Sequence, residues 1–337
     1  MTQFSSLAEV QSFLEELPEA DAAAAEAAEA RNGQLTKPPA ALGRLEEIAI
    51  WYASWRGDAQ PEIIAPQVAV FAGNHGVTAQ GVSAFPAEVT EQMVLNFEHG
   101  GAAINQLCRV AGAKLTVTAL DLAKPTADFT NGPAMSEAEF LAAFKTGFDA
   151  VDPQADLFVP GEMGIGNTTS AAAIGYALFG GEPADWVGRG TGVDAAGLKR
   201  KADVVGRGLE ANPQAKENGL EALRALGGRE LVAMAGAIVA ARHHRIPVIL
   251  DGFISTAAAS CLQIAREGAL DHCILSHQSN EQAHIKLAIE LGLDPVVALD
   301  MRLGEGSGGA LVINIVKAAL ACHSGMATFA DAGVSEG

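Results

Sequence analysis

At 337 residues, with 49% apolar and 18% charged side chains, the chain carries enough apolar material for a large ordered core; this excludes a disordered segment and suits about two domains, or one large domain with an appendage. A formal charge of −18 opposes broad contact with a phosphate backbone, so no nucleic acid partner is expected, while a local basic cluster for one phosphate stays open. Cys108, Cys261, Cys273 and Cys322 include no C-x-x-C pair, which argues against a zinc site and against a disulfide framework.

The N-terminal stretch MTQFSSLAEVQSFLEEL is acidic and lacks the basic-then-apolar order of a signal peptide. The uncharged apolar run LVAMAGAIVAA is far shorter than the ~20 residues that span a bilayer. A cytoplasmic location without membrane contact is the expectation. Residues 1–30 have helical periodicity, broken at Pro18 and ended at Asn32-Gly33, and a second helix is expected over 40–55. Six short apolar runs follow, at 68–73, 114–121, 155–161, 246–252, 272–277 and 295–300, each stopping at Gly, Asp or His. Helical stretches such as EVTEQMVLNFEHGGAAINQLC, TTSAAAIGYALF and STAAASCLQIA lie between most of them. Near-continuous apolar strands alternating with helices predict an α/β fold: a doubly wound, mostly parallel sheet flanked by helices. Residues 30–304 form the expected large domain, and 1–29 together with 305–337 a small helical one. The last helix, GGALVINIVKAALACH, is apolar on almost every face, which suits a core or a subunit interface.

Polar residues gather just after the strands: Asn74-His75, Asp121, Glu162, Asp251, Ser276-His277 and the Glu305 segment. In open α/β sheets ligands bind outside the carboxyl ends of the strands, so distant loops converge there. GEMGIGNTTSAAA opens a helix, with Gly164 and Gly166 permitting close backbone approach and Asn167 or Thr168 available as caps. It suits a phosphate at a helix N-terminus, or a structural turn. Glu162 reads as an acceptor for ligand hydroxyls or loop N–H groups, or as a surface carboxylate. GRGTGVDAAGLKRK sets Gly190, Thr191 and Gly192 before the densest basic run, where Lys201 or a neighbour can neutralise a phosphate unless the run is a solvated helix face. His75 reads as a hydrogen-bonding loop residue, because no H-x-x-H or H-E-x-x-H spacing supports a metal. Asp251, beside Gly252, can take both hydroxyls of a ribose or cap the following helix. Ser279 occupies the equivalent position one unit later. Glu305 stands alone among glycines in RLGEGSGG, and suits either a general base or a first-turn helix acid. Desolvation raises its pKa and the helix N-terminus lowers it, and composition leaves that balance open.

GEMGIGNTT, GRGTGVD, DGFI, SHQS, RLGEGSG and TFADAGVSE, with AGNHGV and FPAEVTEQMV upstream, resemble the nicotinate-nucleotide–dimethylbenzimidazole phosphoribosyltransferase (CobT) family from about residue 35 to the C-terminus. The resemblance implies a pentosyltransferase that moves the 5-phosphoribosyl group from nicotinate mononucleotide to 5,6-dimethylbenzimidazole, with inversion, giving α-ribazole 5′-phosphate and nicotinate. It implies Glu305 as catalytic base, and Glu162, Gly164–Thr168, Gly190–Gly192, Lys201, Asp251, Gly252 and Ser279 around the phosphoribosyl group. For the benzimidazole pocket it implies the segment 85–93, including Phe85, Gln92 and Met93; the family often has a small hydroxyl residue in place of Phe85. It further implies a homodimer with no cofactor or metal. Two other readings are a nucleosidase acting on the same donor and a non-enzymatic nucleotide sensor.

Overall fold

The computed structural model describes residues 4–188, 190, 192 and 194–335. Among the described residues six strands form one sheet: β1 (Pro66–Ala72), β2 (Lys114–Ala119), β3 (Leu157–Met163), β4 (Val248–Leu250), β5 (Cys273–His277) and β6 (Pro295–Val297). They are ordered β2-β1-β3-β4-β5-β6 and every pairing is parallel. All six coincide with the apolar runs, and the doubly wound sheet is the one expected. The N-terminal helices are α1 (Leu7–Glu15), α2 (Ala22–Gln34) and α3 (Arg44–Arg56). The stretch after β1 divides at Gly100-Gly101 into α4 (Glu88–Glu98) and α5 (Ala103–Ala111). Then come α6 (Glu137–Ala150), α7 (Asn167–Phe179), α8 (Pro183–Trp186), α9 (Ala195–Ala211), α10 (Gly219–Leu226), α11 (Arg229–His243), α12 (Phe253–Ala265), α13 (Gln282–Glu290), α14 (Ser307–Gly325) and α15 (Phe329–Ala332).

Alternation along a strand sends successive side chains to opposite faces. Ala69 and Phe71 of β1 therefore join one apolar cluster, with Phe158, Val248 and Leu250, beneath α6, α7, α11 and α12. Val68 and Val70 join the other, with Leu157, Val159 and Ile249, beneath α3, α5 and α14. Both faces are covered, which is why β1 is buried along its whole length and reads as an uninterrupted apolar run.

The termini do meet: Arg31 of α2 donates to the carbonyls of His323, Ser324 and Met326, and Leu35 bridges to Thr328. Packing is continuous across the expected boundary at 304/305. Val312, Ile313 and Val316 of α14 are buried in the cluster that covers β1 and β3, and Val10 and Leu14 of α1 sit in the opposite cluster. Neither helix builds a core apart from the sheet. By length and composition α14 is apolar enough to cross a membrane, but half of it is buried inside the protein. Strand order reverses between β1 and β3, and the site opens next to this switch point, at the carboxyl ends of β3, β4 and β5.

Candidate active site

A cavity of about 550 Å³ lies at these strand ends. β3 delivers Glu162 to its wall, and the next residues turn into α7 through Gly166, whose φ of +100° is left-handed. A Cβ at Gly166 would stand 2.7 Å from the Thr78 methyl, so only glycine makes this turn. Behind the turn His75 Nε2 lies 2.5 Å from Glu230 Oε1, and the Ser170 hydroxyl 2.9 Å from His75 Nδ1. All three are buried. They tie the end of β1 to α7 and α11, and Gly164 leaves room for the Glu230 carboxylate. His75 is thus a hydrogen-bonding residue, as expected.

Glu162 is buried and accepts from the Asn167 side-chain amide. Burial pushes its carboxyl up to about 8, aided by the charges of Asp251 and Glu230 and opposed by Asn167 and the Glu305 N–H. The loop before α14 crosses β3 at Gly161, where an added Cβ would come within 2.7 Å of the Glu305 carbonyl oxygen. Glu305 itself has φ +64°, a sparsely populated region for a residue with a side chain. Its carboxylate is buried on the cavity wall, and Oε2 takes no hydrogen bond among the described residues. Desolvation wins the competition at this residue: burial and then the Asp251 charge push Glu305 up to about 7, against the Ile104 N–H.

Asp251 caps a helix, though a different one from the helix that follows it. Its carboxylate accepts from Gly306, Gly308 and Gly309 at 3.1, 2.7 and 3.0 Å, closing the N-terminus of α14. Burial pushes this carboxyl up, and His277 and the three N–H groups oppose the shift. Gly308 packs so closely on the His277 ring that a Cβ there would overlap Nδ1.

The two glycine-rich segments come together. Lys201 Nζ, buried on α9, donates to Thr168 Oγ1 at 2.9 Å and to the Gly188 carbonyl at 3.4 Å. Burial draws its pKa down, partly offset by Glu281. Gly190 lines the cavity and donates to Glu281 Oε1 at 3.1 Å. Gly164, Asn167, Thr168, Gly252 and Ser279 are also on the wall. Gly192 is not among the wall residues, and Thr191 lies outside the described residues. Phe85 lines the cavity, half exposed. Gln92 and Met93 do not: Gln92 is exposed and Met93 packs against the α14 side of the sheet, because α4 turns that face away. The contribution of α4 is Thr90, buried, whose hydroxyl accepts the Ile165 N–H. Apolar wall comes from Met163, Ile165, Phe253, Ile254 and Leu303, together with Phe85. Sequence reasoning covered Thr90 only within the segment 85–93 and missed Glu230, Glu281 and Arg302. Of these only Glu230 carried a signal, an acid opening the otherwise apolar ELVAMAGAIVAA, and it is indistinguishable there from a first-turn acid.

A buried carboxylate poised near neutrality, facing an apolar slot and a cation-backed glycine loop, is equipped to take a proton from a flat heterocycle beside a bound anion. A family model described as phosphoribosyltransferase matches residues 17–334. A nicotinate-nucleotide–dimethylbenzimidazole phosphoribosyltransferase of Ruegeria pomeroyi is 66% identical over 333 residues, covering 99% of this chain and 98% of that one. The same-named protein of Jannaschia sp. is 63% identical over the full length of both. Two crystal structures from Thermus thermophilus, one titled CobT and one titled as this transferase, superpose with TM-scores of 0.87 and 0.86 at 41% and 40% identity; each covers 94% of this chain and 100% of the other. The chain belongs to the nicotinate-nucleotide–dimethylbenzimidazole phosphoribosyltransferase family.

Proposed function

We propose that the protein transfers the 5-phosphoribosyl group of nicotinate mononucleotide to 5,6-dimethylbenzimidazole, yielding α-ribazole 5′-phosphate and nicotinate, with Glu305 as general base. The observation that carries the role of Glu305 is its buried carboxylate, one oxygen of which has no partner among the described residues, raised to about 7 on the wall of the cavity. The ribosyl–pyridinium bond breaks with its electron pair going to the ring nitrogen, so nicotinate leaves without needing a proton. One benzimidazole nitrogen attacks the opposite face of the anomeric carbon, and the N–H proton of the other passes to Glu305. Help of this kind is worth 10²–10⁴-fold, roughly 3–5 kcal/mol of barrier. Holding the reactants in line supplies much of the remainder.

Gly164–Thr168, Gly190 and Lys201 are the proposed cradle of the phosphoribosyl group, with Glu162, Gly252 and Ser279 beside it and Phe85 toward the acceptor. Glu162, held up to about 8, is protonated at neutral pH and so adds little negative charge beside the phosphate. A homodimer working in the cytoplasm is proposed on the family resemblance; light scattering at twice the mass of one chain supports it and a single-chain mass refutes it.

The deciding experiment follows nicotinate release and product formation with and without dimethylbenzimidazole. For Glu305→Gln, nicotinate mononucleotide still binds while kcat falls at least a hundredfold. In the wild type kcat climbs as pH rises through about 7, and that limb disappears in the variant. Nicotinate release at the same rate without acceptor would make the protein a nucleosidase, and unchanged turnover in Glu305→Gln would remove this residue from the mechanism.

A further inference from the structure

We propose that Arg302 is a second phosphate-binding cation of the donor site, gripping the phosphate beside Gly190 together with Lys201; this rests on the functional reading above. Arg302 is exposed, lines the cavity and donates from Nη1 to the Gly190 carbonyl at 3.3 Å. The Lys201 ammonium also borders Gly190, since a Cβ added there would lie 3.3 Å from it. Two cations from segments about a hundred residues apart thus border one glycine of left-handed φ, +50°.

Charge balance explains why one cation is too few. A phosphate monoester carries about −1.5 to −2 near neutral pH. Glu281 adds another negative charge in the same corner, with its Oε1 accepting the Gly190 N–H. Lys201 alone leaves roughly two negative charges uncompensated, and burial already disfavours its charged form. Arg302 offsets one of these charges from the solvent side, where a guanidinium costs less to hold. Among the described residues it forms no ion pair, and its one protein acceptor is a neutral carbonyl. Its fork of N–H donors matches phosphate oxygens.

The test uses Arg302→Ala and Arg302→Lys in the intact protein, with binding measured by calorimetry or competition. Three probes separate the groups of the donor: nicotinate mononucleotide, nicotinamide mononucleotide, which keeps the phosphate but lacks the carboxylate, and nicotinate riboside, which lacks the phosphate. In Arg302→Ala both mononucleotides bind at least tenfold more weakly and the riboside changes less than twofold, while KM for the donor rises and kcat stays within threefold. Arg302→Lys recovers part of the loss, and thermal melting of both variants matches the wild type. A loss confined to the two carboxylate-bearing probes would assign Arg302 to the leaving group and overturn the proposal. Equal loss on all three probes, or none on the mononucleotides, would overturn it too. Transfer by the wild type to dimethylbenzimidazole is measured in parallel, and its absence would sink the functional reading itself.

Discussion

Glu162 has a folded-state pKa near 8, well above the usual value of 4.5, because burial disfavours its charge. Below about 4.5 the group is protonated in both folded and unfolded chains and contributes its full share to stability. As pH rises toward 8 the unfolded chain ionises freely while the folded one resists, so that share is lost over this window. The loss is on the order of 3 kcal/mol, allowing for relaxation of the site. Glu162→Gln keeps a similar shape without the titration. It should melt about 5 °C above the wild type at pH 8, with the gap closing by pH 4.5. Differential scanning calorimetry across that range is the check, and a gap independent of pH would mean that ionisation at this position is not the cause. Glycines around the two carboxyls complete the arrangement, since Gly161 and Gly304 leave the room in which the turn bearing Glu305 lies against Glu162. Composition gave Glu305 two competing influences, and only the depth of burial decides between them. That depth is fixed by residues far away in the chain.

Helix α14 begins without a capping side chain of its own, since its N-cap is Gly306 at φ +81°. The N–H groups of its first turn go instead to Asp251, more than fifty positions upstream at the end of β4. That explains what the sequence revealed about elements and what it concealed. Strands buried on both faces announce themselves as apolar runs, so all six were legible. Helices α6 and α10 carry mixed composition between strands and do not stand out as apolar runs, and the Gly100-Gly101 break hides inside one helical stretch. A cap supplied across the sheet has no local signature at all. Removing it should cost about 4 kcal/mol in Asp251→Ala, because buried N–H groups lose their acceptor, with roughly half that loss in Asp251→Asn. Urea unfolding measures this. The lost negative charge also lowers the Glu305 pKa, so the acidic limb of kcat moves down in pH in both variants. Stability within about 1 kcal/mol of wild type, combined with a raised donor KM, would instead assign Asp251 to the ligand.

At the scale of the whole molecule, one sheet carries two apolar clusters, and the site draws its residues from loops at the ends of β3, β4 and β5 and from the turn before α14. The convergence was legible because each strand end carried its polar residue. The terminal segments were not, since a helical pattern does not say which core receives it. Val10, Leu14 and Leu17 are buried against the α6–α11 side of the sheet, and Phe4 meets Phe13 and Phe144 edge to face at 5.3 and 5.4 Å. Just beyond, the Pro18 carbonyl accepts from the buried Arg242 at 3.0 Å. Three fully buried aliphatic side chains contribute roughly 2 kcal/mol each, about 6 kcal/mol before the phenylalanines are added. Whole domains have only about 5–15 kcal/mol of net stability. Truncation through Leu17 should therefore lower the melting temperature by at least about 10 °C or prevent folding, and transfer activity should fall with it. If α1 belonged to an independent terminal unit, the truncated chain would melt within about 3 °C of the full-length protein with kcat unchanged. Circular dichroism melts paired with the transfer assay separate the two outcomes, because the first requires stability and activity to be lost together.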